Sequence, residues 1–87
     1  MTTVAALTDR MEALVIDGVL RGDAAHIITA SLASADRGTV ERIGGILTQI
    51  EGTRHWSAKA TLLELCAVIL HVPAEYRHAV NGELLTV

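Results

Sequence analysis

The chain has 87 residues, a mass of 9.2 kDa, a mean hydropathy of +0.41 and a formal net charge of −3. That length holds one domain, which excludes a multidomain enzyme, a (β/α)8 barrel and a dinucleotide-binding fold with its substrate domain. Residues 1–43 carry four basic and six acidic side chains and residues 44–87 carry three and four, so neither half is a basic arm for coating nucleic acid or an acidic tail.

The hydrophobic pattern predicts helices throughout and no strand. Over residues 3–20, Val4, Leu7, Met11, Leu14, Val15 and Val19 recur at three- and four-residue spacing, the mark of one apolar helix face. Thr2 or Thr3 is the expected cap, and Gly22 the expected left-handed terminator. Asp23 is the expected cap of a second helix, with Ala24, Ala25, Ile27, Ile28, Leu32 and Ala35 inward and its end near Ser34.

Asp36 then caps a third helix, in which Val40, Ile43, Leu47 and Ile50 form the seam and Gly52 the end. Gly44 and Gly45 lie inside it, each costing about 1 kcal/mol against Ala. Either they are tolerated weak points or another helix approaches closely there.

Residues 53–57 form a link with Ser57 as the next cap. The fourth helix, residues 58–72, is the most apolar part of the chain. Leu62, Leu63, Leu65, Cys66, Val68, Ile69 and Leu70 cover most of its circumference, and Ser57, Thr61, Glu64 and His71 form its one polar stripe. An all-round apolar helix is expected at the centre of a bundle or in a dimer interface. Pro73 ends it and suits the first position of a short fifth helix over residues 73–80, closed by Asn81 and Gly82. The apolar tail, residues 83–87, is expected to pack back or to pair across a dimer.

The reading is therefore all-α: residues 1–87 as a single helical domain, a compact bundle of four main helices plus a short fifth. Only Trp56 and Tyr76 are aromatic and Phe is absent, so the core is aliphatic. A chain this short buries only about 60% of the surface its unfolded form exposes. Its apolar surplus points to a partner or a symmetric copy, and a homo-oligomer is expected, with Leu62, Leu65, Val68 and Ile69 as core or dimer positions. Cys66 is the one cysteine, which excludes an intrachain disulfide and suits a reducing compartment. No basic-then-apolar leader opens the chain, and its longest apolar run is far short of the roughly 20 residues that span a bilayer. A cytoplasmic location without membrane contact is expected.

Chemistry-bearing constellations are sparse. His71, Glu75 and His78 stand at i, i+4 and i+7, which aligns three metal ligands on a continuous helix, but Pro73 interrupts that helix and a solvated helix end accounts for the same residues. No metal or other cofactor is expected. Cys66, among Leu65, Ala67 and Val68, reads as a small buried hydrophobe with a raised pKa. Paired carboxylates and a phosphate-cradling glycine loop are lacking, so an enzyme is not expected.

The remaining motif is residues 33–43, Ala-Ser-Ala-Asp-Arg-Gly-Thr-Val-Glu-Arg-Ile. With the helices on either side, residues 28–47, it resembles the turn and recognition helix of helix-turn-helix bacterial regulators, including the MarR-like and GntR-like winged families. The resemblance implies duplex-DNA binding. Ala30 takes the place of the small residue where the helices touch, Val40 and Ile43 hold the recognition helix on the core, and Arg37, Thr39 and Arg42 face the groove. Ser34 stands where that turn usually has Gly, and no β-wing follows. Two non-enzymatic functions result: a helix-turn-helix transcriptional regulator, or a helical adaptor, inhibitor or assembly factor, phage-derived ones included, that binds protein and no nucleic acid.

Overall fold

The computed structural model describes residues 2–72, all-helical and without strands. Helix α1 spans Val4–Ile16, α2 Gly22–Ala33, α3 Arg37–Gly52 and α4 Trp56–Ile69. The expected fifth helix and the apolar tail lie outside the described residues.

Local chemistry sets most boundaries. Thr3 caps α1, its hydroxyl accepting from the Ala6 N–H at 3.1 Å. Asp36 caps α3 as expected, its carboxylate accepting from the Thr39 N–H at 2.8 Å. Three expected boundaries shift. Helix α1 closes at Gly18, not Gly22. Gly18 takes φ +77°, its N–H donates to the Val15 carbonyl at 3.1 Å, and the Val19 N–H reaches back to Leu14 at 2.9 Å. That paired pattern needs a left-handed residue one place past the cap. Gly18 supplies it, which turns Val19 and Leu20 inward (each 4% exposed) and frees Gly22 to open α2. Arg21 consequently occupies the α2 cap position, and Asp23 sits in the first turn, bonded to the Ala24 N–H and paired with Arg21. His55, not Ser57, precedes α4.

Helix α4 ends in the same pattern as α1. The His71 N–H donates to Val68 at 3.1 Å and the Val72 N–H to Ala67 at 3.0 Å. Here the left-handed position, φ +58°, is filled by His71, not glycine.

Helices α1 and α2 pack along each other, as do α3 and α4, and a narrower α1–α3 contact joins the two pairs. Helices α2 and α3, joined by the three-residue turn 34–36, pack less closely than any of these three pairs. The aliphatic core is one cluster. Leu7, Met11, Ile28, Leu32, Ile43, Leu47, Ile50, Leu63 and Cys66 are its largest fully buried side chains, and no polar or charged residue among those described is buried.

Helix α3 buries more of its residues than any other described helix and, like α1, meets two neighbours. Helix α4, expected either at the centre of the bundle or in a dimer interface, buries Ala60, Leu63, Cys66 and Ala67 against the rest and leaves Leu65 43% and Val68 44% exposed. Those two positions therefore lie outside the single-chain core. They sit on the side of α4 turned away from α3, and Leu62 and Ile69 at its edge are half-buried.

The two mid-helix glycines divide. A Cβ on Gly44 would stand 2.9 Å from the Thr2 methyl, so the start of the chain approaches α3 closely there. A Cβ on Gly45 would meet nothing within 4 Å. No described helix is long and apolar enough to cross a membrane.

Candidate functional site

Three surfaces hold the residues that the sequence singles out. The first is the start of α3. Asp36 is held ionised by its bonds from Thr39, which lower its pKa. Arg37 and Arg42 are exposed and make no salt bridge among the described residues; Thr39 is half-buried. Five residues of α-helix separate the arginines by about 140° around the axis. They flank the buried Val40–Ile43–Leu47 seam on opposite sides and share no face. Ala30 is exposed and does not lie between touching helices.

The second is a polar concavity of about 340 Å³ between the α2–α3 turn and the end of α4. Ser31, Ser34, Asp36, Thr39 and His71 line it together with Ile69 and Leu70. Serine, histidine and aspartate here form no relay. The Ser31 hydroxyl donates to the Ile27 carbonyl and Asp36 is committed to its cap, while no described hydrogen bond joins His71 to either. Cys66, the one cysteine, is fully buried. Burial pushes its thiol up to about 12, so it stays protonated at neutral pH. Of the residues weighed as metal ligands, His71 alone is described, and the described residues contain no group of three metal-binding side chains.

The third surface is the outer side of α4. Ala58, Leu62, Leu65 and Ile69 follow one another at spacings of four, three and four, with Val68 alongside. This is the a/d rhythm of a helix made to lie along another helix. Two apolar arcs thus share α4: one is covered by α3 and one faces solvent. At its N-terminal end Trp56 is 46% exposed, with the Lys59 ammonium 5.5 Å from its ring centroid, a cation–π arrangement. The outer arc is detectable in the sequence as apolar residues beyond those one packing partner can cover.

No protein-family model, curated protein or solved structure matches the chain.

Proposed function

We propose that this protein acts by binding macromolecules, without catalysis, and that the outer arc of α4 is its protein-binding surface, with a second copy of the chain as first partner. The observation that carries this reading is the exposure of Leu65 (43%) and Val68 (44%) on a helix whose opposite arc is already filled by α3. No charged residue interrupts the Ala58–Leu62–Leu65–Ile69 line, so a second apolar helix can cover it without desolvating a charge. Sedimentation equilibrium at micromolar concentration tests the self-association. The parent chain runs heavier than 9.2 kDa, and Leu65→Glu returns it to a single chain. A parent that is only monomeric removes self-association from the reading.

A second reading, a helix-turn-helix DNA-binding regulator using Arg37, Thr39 and Arg42, rests on two exposed guanidiniums near the start of α3. The opposed flanks of Arg37 and Arg42, the acids Asp36 and Glu41 beside them and the exposed Ala30 favour it less. Duplex DNA binding at low salt, abolished by the double change Arg37→Ala and Arg42→Ala with the fold intact, is the result that restores it to first place.

A further inference from the structure

A groove of about 360 Å³ runs along the outside of the α1–α2 pair, away from the α4 arc. Its floor is apolar: Met11 and Ala25 are buried and Val15 half-buried. The α2 wall consists of the small residues Gly22, Ala25 and Thr29 and the exposed His26. On the α1 lip stands Ile16, 83% exposed, more than any other large hydrophobic side chain described. A trough this open does not enclose the 70–90% of a small ligand that tight pockets cover. From Thr8 to Ile16 it follows α1 for about 12 Å, roughly two helical turns. An apolar trough between two helices fits the apolar stripe of a third.

The charge at its edge selects the partner's flank. Glu12 lines the groove, and Asp9, three residues earlier, shares that side of α1. Neither makes an ion pair among the described residues. No Lys or Arg lines the groove. The nearby arginines are engaged elsewhere, Arg10 with Glu51 and Arg21 with Asp23. On the α2 side the exposed His26 also lines the groove, but the fixed charges at the α1 lip are the two carboxylates, which disfavour an anionic ligand there and are available to lysines beside an apolar stripe.

We propose that the α1–α2 groove seats an amphipathic helix of a partner protein, its apolar stripe over Met11, Val15 and Ile16 and a basic flank along Glu12 and Asp9. This surface is separate from the α4 arc, so either assignment can fail alone.

The test uses the full chain, isotopically labelled, and a synthetic helical peptide with Leu at i, i+4 and i+7 and Lys on one flank. Its control has Glu in place of each Lys. Amide shifts are expected around Met11, Val15, Ile16, Ala25 and Thr29. The Lys peptide binds roughly five-fold tighter at low salt, the scale of one or two surface ion pairs, and the difference shrinks in high salt. Glu12→Lys erases the preference. Ile16→Ser, at a position too exposed to support the fold, weakens both peptides. Absence of shifts, shifts confined to Leu62, Leu65 and Ile69, or equal affinity for the two peptides overturns the proposal.

Discussion

Helices α3 and α4 lie side by side and bury their residues in opposite ways. Helix α3 is the more polar, with Arg37, Glu41, Arg42, Gln49 and Glu51 on its surface, yet Ile43, Leu47 and Ile50 are completely buried and it meets both α1 and α4. Helix α4 is apolar nearly all round, yet packs chiefly on α3 and leaves one apolar arc in solvent. The amount of apolar surface on a helix does not place it. What places it is whether one concentrated face can be shared by several neighbours, and the unshared surplus on α4 is what leaves that helix an apolar arc in solvent.

The sharpest way to break this contrast is to truncate one leucine on each helix. Leu47→Ala should cost about 2–5 kcal/mol, the range for a filled core position. Leu65→Ala should cost less than about 1 kcal/mol in the dilute single chain, since 43% of that residue is already in water. Denaturant titrations at low protein concentration measure both, and equal losses would return α4 to the centre.

The glycines of α3 give the next effect. Gly45→Ala should stabilise by about 0.5–1 kcal/mol through helix propensity, because nothing stands within 4 Å of the new methyl. Gly44→Ala should lose about 1 kcal/mol net, because the Thr2 methyl must move and overpacking outweighs the propensity gain. A thermal melt showing the same sign for both would mean that the chain start does not press on α3.

At the end of α4, His71→Gly should stabilise by about 1 kcal/mol, relieving a left-handed residue that carries a Cβ. Gly18→Ala, at the equivalent place after α1, should destabilise by a similar amount. Stability changes of the same sign would show that the two helix ends are not equivalent.

The smallest effect tests what ties α3 to α1. Arg10 donates to both oxygens of Glu51, from Nε at 3.0 Å and Nη2 at 2.7 Å, and to Thr48 Oγ1 at 3.1 Å. The bond lowers the Glu51 pKa and raises that of Arg10. Both side chains are partly in water, 30% and 42% exposed, so Glu51→Gln should cost under about 1 kcal/mol at neutral pH. Because the folded-state pKa of Glu51 lies below its ordinary value, this contribution is complete above the usual Glu range. It is lost as pH falls through the folded-state pKa. The parent and Glu51→Gln melting curves should converge on acidification and separate again on return to neutral pH.

What the sequence determined alone is whatever a few neighbouring residues decide. Helical periodicity marked all four helices. It also marked the buried faces Leu7–Met11–Leu14, Ile28–Leu32 and Val40–Ile43–Leu47–Ile50, because a 3.6-residue repeat has to bury one side of each. Asp36, and Thr3 as one of two candidates, were legible as caps for the same local reason, a side-chain oxygen three residues before an unsatisfied N–H. Competition between signals was not legible. Gly18 and Gly22 could each close α1, and the burial of Val19 and Leu20 chose Gly18. The proposed binding surfaces were legible only as residue types. That Leu65 and Val68 face solvent, that Arg37 and Arg42 stand on opposite flanks, and that a groove lies beside Ile16 all depend on which helices meet. That choice is made by the summed packing of four faces on one core, and no window of neighbouring residues contains it.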